Sequence, residues 1–197
     1  NNVAGRLIAI VMNALLLALG GETAVSVYGV MMYAESLVLP VMYGVCDSLQ
    51  PAVSYNLGAR NFDRVRGLER CCFIACAVVS LLAAGLLLVF PETTARLFVG
   101  DAQDVLEMSV TALRLYALTF ITRWVSFACQ SYLSALGQSG AAAVISVSVA
   151  LLLPAAFIAL LWPLGLNGIW LNSAAVAAAA GVLAALLLKS RLKKALR

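Results

Sequence analysis

The sequence predicts an all-α polytopic membrane protein, a bundle of six transmembrane helices. Three observations carry this. Hydrophobic residues make up 63% of the 197-residue chain and charged residues 11%, a balance with too little polar surface to cover a water-soluble domain of this size. After Arg123 the next charged residue is Lys189, a stretch longer than one helix can occupy. Apolar runs of roughly the 20 residues needed to cross a bilayer recur along the chain, separated by small or turn-forming residues.

The expected spans are about 6–20, 23–57, 64–91, 104–136, 140–162 and 167–189. Gly20-Gly21 ends the first, which is short for a crossing and opens almost at residue 1 without the features of a signal peptide. The chain reads as a fragment. The second span is long and carries Pro40 and Gly44, which predict a kink, and Gly58 is placed as its stop. Between the third and fourth spans, residues 91–99 can form a short interfacial helix. The alanine-rich stretches 141–143 and 174–180 predict close helix packing in the last two spans.

Basic residues set the orientation, because Lys and Arg near span ends stay on the cytoplasmic side. Arg60, Arg64, Arg66 and Arg70 follow the second span, and Lys189, Arg191, Lys193, Lys194 and Arg197 follow the sixth. The connection after the third holds Arg96 among Glu92, Asp101, Asp104 and Glu107. Both ends of the chain are therefore expected in the cytoplasm, with Arg6 at the cytoplasmic end of the first span. The location expected is the cell (inner) membrane.

No histidine is present, which removes the usual general base and imidazole metal ligation together. The five cysteines, Cys46, Cys71, Cys72, Cys76 and Cys129, form no C-x-x-C pair and read as small packing residues. Neither a disulfide framework nor a zinc site is indicated. No catalytic residue, metal or cofactor is expected, and nothing points to nucleic acid.

Ionisable groups in the hydrocarbon core cost about 2.5–3.5 kcal/mol on insertion scales and so require a partner or water. Glu35 on the second span and Arg123 on the fourth fall at the same depth, near mid-bilayer, at about 1.5 Å of rise per residue. Asp47 lies nearer the cytoplasmic end. The two mid-membrane groups are expected to pair. On the fourth span Tyr116, Thr119, Arg123, Ser126, Gln130 and Ser134 recur every three or four residues and share one face. That stripe lines either a cavity or a polar contact between helices. Ser36, Tyr43, Asp47 and Ser54 form a second stripe, with Gln50 at its margin. Spacing leaves open whether Glu35 and Asp47 share one pocket.

The segment from Tyr43-Gly44 through Gln50-Pro51, Tyr55-Asn56 and Gly58-Ala59 to Arg60-Asn61 resembles the signature closing the eighth helix of multidrug and toxic compound extrusion (MATE) transporters. Gly20-Gly21 with Ala24 and Tyr28-Gly29, Arg114-Leu115-Tyr116 with residues 130–137, and Gly165-Leu166-Asn167-Gly168-Ile169-Trp170 extend the likeness over essentially the whole chain. The resemblance implies helices seven to twelve of the prokaryotic type, one lobe of a twelve-helix transporter whose amino-terminal lobe is absent here. It further implies an antiporter exporting small organic, amphipathic or cationic compounds against H⁺ or Na⁺. Some relatives carry acids in helices seven and ten as this lobe's cation site. This chain offers Asn13 and Arg123 there, which shifts the coupling acid to the absent lobe. A lipid-linked saccharide flippase of the same superfamily, or a non-transporting membrane assembly subunit, stands as the alternative.

Overall fold

The structure, a computed structural model, describes residues 2–99 and 102–195. Asp101 and Arg197 lie outside these residues, and Lys193 and Lys194 lie outside those described at side-chain level.

The stretch Asn2–Gly58 is helical except at Gly21, whose φ of 65° and ψ of −161° belong to a region open essentially to glycine alone. Helix α1 thus covers residues 2–20 and α2 residues 22–58. The chain reverses between them: Met12 and Glu35 line the same cavity, whereas a continuous helix would hold them about 35 Å apart. Helical geometry continues through Pro40. At the end of α2 the left-handed residue is Arg60 (φ 56°), not Gly58. Asn61 N–H donates to Asn56 O and Arg60 N–H to Leu57 O, the crossed pair of bonds that closes a helix when its second residue beyond is left-handed.

Asn61 then caps α3 (Phe62–Val89), accepting from the Arg64 N–H, with Asp63 in the first turn. A short helix α4 (Pro91–Val99) follows, and α5 runs Gln103–Ala135. Gly137 (φ 72°) closes α5 with the same crossed bonds, Gln138 to Leu133 and Gly137 to Ser134. Residues 139–161 form α6, with a π-helical turn at Ser148–Leu152. Pro154 explains the turn's position, because its missing N–H withdraws the bond to the residue 150 carbonyl. A 3₁₀ turn at Trp162–Leu164 and a left-handed Gly165 (φ 60°) reverse the chain into α7, Gly165–Ala195.

Helix α5 is the hub, packing against α2, α3, α4, α6 and α7. Ala112, Leu113, Tyr116, Ala117, Phe120, Ala128 and Leu133 are all fully buried along it. Lipid offers no hydrophobic drive between helices, so close packing and interhelical hydrogen bonds hold the bundle. Ser80 Oγ donates to Phe120 O at 2.6 Å, Ser54 Oγ to Ala135 O at 3.0 Å and Gln50 Nε2 to Ser131 Oγ at 3.1 Å.

The two ends of the bundle differ in charge. At one end Leu16, Ala24, Ala95, Leu106, Ile169 and Trp170 share a cluster, and Tyr33 stacks on Phe98 at 5.6 Å. Glu92, Asp104 and Glu107 belong to this end. At the other, Val53, Val65, Tyr132 and Leu136 pack with Leu57 and Leu188. Arg60, Arg64, Arg66, Arg70, Lys189 and Arg191 gather there. This basic cluster lies at the end of the bundle opposite Glu92, Asp104 and Glu107.

Candidate functional site

A cavity of about 700 Å³ runs between α1, α2, α5, α6 and α7. Helix α1 presents Arg6, Ala9 and Met12 to it, and α2 presents Tyr28, Met32, Glu35 and Tyr43. The face of α5 contributes Thr119, Arg123, Ser126, Phe127 and Gln130. These α5 positions fall within about three helical turns on one stripe, so a single helix delivers a largely polar wall.

Glu35 and Arg123 meet on that wall. Arg123 Nη2 donates to Glu35 Oε1 at 2.6 Å, with side chains 23% and 16% exposed. The Tyr116 hydroxyl donates to the other carboxylate oxygen, Glu35 Oε2. Tyr116 and Arg123 are two turns apart on α5, so one helix face clamps both oxygens of a carboxylate supplied by α2. Tyr116 is fully buried, braced edge-to-face by Phe120 at 5.6 Å, and reaches the cavity only through Glu35. The expected mid-membrane pair is thus formed directly, as a charge-assisted contact backed by a second donor.

Of the residues singled out from the sequence, Glu35, Tyr43, Thr119, Arg123, Ser126 and Gln130 line the cavity, and Tyr116 holds Glu35 from behind. Asn13, Asp47 and Gln50 do not line it. Asn13 is rotated about 100° from Met12 and is exposed on the other side of α1. Asp47 is exposed one turn beyond Tyr43, so Glu35 and Asp47 do not share this pocket. Gln50 turns toward α5, bonding Ser131 and lying 3.5 Å from Asp47 Oδ1. Ser134 bonds its own helix at Gln130 O.

Tyr28, Asn172 and Ser173 line the cavity without having been named as site residues. Asn172 is 3% exposed, and its Oδ1, like Thr119 Oγ1, has no hydrogen-bond partner among the described residues. A neighbouring Asn-Ser pair in an otherwise apolar final span was the available signal, outweighed by the surrounding alanines. The arrangement offers a neutralised ion pair and an aromatic and methionine surface from Tyr28, Met32, Tyr43 and Phe127. Such a surface suits an amphipathic molecule, since rings attract cations and methionine adapts its shape.

The sequence model of the family described as MatE matches residues 2–160. The chain is 27% identical over 184 residues to the multidrug export protein MepA of two Staphylococcus aureus strains, MSSA476 and MW2. That alignment covers 90% of this chain and 40% of the relative, so the chain spans less than half the length of these relatives. Among solved structures, a multidrug resistance MATE family transporter of the MOP superfamily superimposes with a TM-score of 0.89 in both its outward-facing and inward-facing conformations. Identity is 16%, over 98% of this chain and 44% or 45% of that one. A mutant of the Vibrio cholerae MATE transporter VcmN matches with a TM-score of 0.86 and 22% identity, over 96% of this chain and 43% of its own. At these identities the structural likenesses speak for the fold.

Proposed function

The chain belongs to the MatE family, and from that membership we propose that it forms the carboxy-terminal half of a secondary antiporter exporting small organic, amphipathic or cationic compounds against H⁺ or Na⁺. The observation that carries the reading is the cavity of about 700 Å³ with Glu35 neutralised on its wall by Arg123 and Tyr116. A cavity of this size holds a drug-sized guest. The aromatic and methionine lining favours an amphipathic one. A flippase for a pyrophosphate-linked lipid would ask for several free cations. Among the described lining residues the cations are Arg6 and Arg123, and Arg123 is already spent on Glu35. The exporter reading therefore leads, and the amino-terminal half of the same protein completes the translocation path.

Glu35 is held at both oxygens by Arg123 and Tyr116, an arrangement suited to a fixed structural contact, so coupling is assigned chiefly to the other half. Full-length protein in proteoliposomes with an imposed pH gradient tests this. Glu35→Gln keeps one acceptor, for Arg123, and turns its NH2 toward Tyr116, whose hydroxyl can accept in turn; it is expected to weaken export only modestly. Complete loss of coupling in correctly folded Glu35→Gln protein would make Glu35 a proton carrier and overturn the assignment.

The basic end of the bundle faces the cytoplasm of a cell whose inner membrane the protein spans. In a background with the native cysteines replaced, a cysteine at Arg64 is expected to label with a membrane-impermeant reagent only after the cytoplasmic side is opened. A cysteine at Asp104 is expected to label from outside. The reverse pattern rejects this orientation.

A further inference from the structure

Three cysteines from two helices converge inside the bundle toward its basic end. Cys46 lies on α2, and Cys72 and Cys76 lie one turn apart on the same face of α3. Their exposures are 2%, 5% and 0%. Cys46 Sγ stands 3.8 Å from Cys72 Sγ and 3.6 Å from Cys76 Sγ, and all three sulfurs fall within 4.8 Å of one another. A tetrahedral metal with bonds to sulfur of about 2.3 Å has edges between its sulfurs of about 3.8 Å. The cluster is already set close to those edge lengths.

The donor set selects the ion. Thiolates without imidazole or carboxylate favour soft cations over magnesium, calcium or manganese. Burial adds a charge criterion: three thiolates around a divalent ion leave one net negative charge, around a monovalent ion two, and the apolar interior penalises the second more. A small cavity of about 10 Å³ beside Cys46 and Cys72 is lined also by Gln50, Glu69 and Ser131, which gives a fourth ligand a polar side.

We propose that Cys46, Cys72 and Cys76 bind a soft divalent d¹⁰ ion of the zinc and cadmium class, tying α2 to α3. Binding exchanges three thiol protons for one M²⁺, giving an M(SR)₃ centre of net charge −1 and three released H⁺, with no change of oxidation state. The exposed Cys71 points away from the cluster, and Cys129 packs in a separate group with Leu133 and Ile145. Neither belongs to the site. The sequence concealed it because two of the ligands follow a C-x-x-x-C spacing, which suits one helix face and not the familiar zinc loops.

The test titrates Cd²⁺ alone into reduced full-length transporter in detergent, following ultraviolet thiolate-to-metal charge transfer. One equivalent is expected to bind through this cluster, with Zn²⁺ competing. Losing an outer-shell partner already costs about 10–100-fold in metal affinity, so Cys46→Ser and Cys76→Ser are each expected to cost about 100-fold or more. Cys71→Ser is expected to change nothing. X-ray absorption at the cadmium edge of the unmodified protein gives a readout that no variant's misfolding can blur: three sulfur neighbours support the site. An oxygen or nitrogen shell, or a titration that Cys46→Ser leaves intact in folded protein, overturns it.

Discussion

Arg123→Met is expected to destabilise the bundle by about 3–5 kcal/mol, the range found when one partner of a buried ion pair is removed and the other is left uncompensated. Glu35 would then keep its bond from Tyr116 but face a methionine side chain where a guanidinium had stood 2.6 Å away. The pair's own net worth is smaller than this loss, because taking both charges out of water opposes their attraction. Arg123→Met combined with Glu35→Gln is therefore expected to recover a substantial part of the stability. Thermal unfolding of wild type, the two single variants and the double variant in one detergent makes the comparison. Additive losses, with no coupling between the two positions, would show that the contact carries no interaction energy and remove the basis for treating Glu35 and Arg123 as a structural pair.

Gly168→Ala is expected to cost about 3 kcal/mol or more, at or beyond the upper end of the range for overpacking, because the obstacle is backbone and cannot rotate away. A Cβ at this position would overlap the carbonyl oxygen of Leu161 and stand 2.9 Å from Leu164 Cβ. The turn between α6 and α7 closes over Gly168, and the next two residues, Ile169 and Trp170, are anchored in the core. Relief must therefore displace either the turn or the anchor. Leu166 of the same segment also lies where a Cβ on Gly20 would fall, at 2.9 Å, so the disturbance reaches the reversal between α1 and α2. Gly67→Ala is the matched control: nothing lies within 4 Å of its added methyl, and a helix gains up to about 1 kcal/mol from such a change. A melting temperature for Gly168→Ala equal to that of Gly67→Ala would show that the α6–α7 turn tolerates the methyl.

These two sites differ in how far the sequence revealed them. Gly165 and Gly168 stood out as a motif opening the last span, but their reasons are separate and structural: Gly165 supplies a left-handed turn, and Gly168 supplies room for a carbonyl. Gly58 shows the opposite case. It looked like the stop of its helix, yet Arg60 takes the left-handed position, because the closing bonds place that conformation two residues further on. The basic and acidic ends were legible because charge near a span end is read by counting, without knowledge of packing.

The sequence by itself determined the solvent, the apolar segments, the depth of Glu35 and Arg123 and the polar stripe of α5. Each follows from composition, from a fixed rise per residue or from a helical period, which act within one local window. Only the tertiary structure decided that the carboxylate and guanidinium touch across 88 residues of chain and that Tyr116 shares the carboxylate. It alone left Asn13, Asp47 and Gln50 off the cavity wall, placed Asn172 on it and drew three cysteines together. Those outcomes depend on how each helix is rotated and crossed against its neighbours. Reversals at Gly21 and Gly165 and the packing around α5 set those angles, and no periodicity within a single helix encodes them.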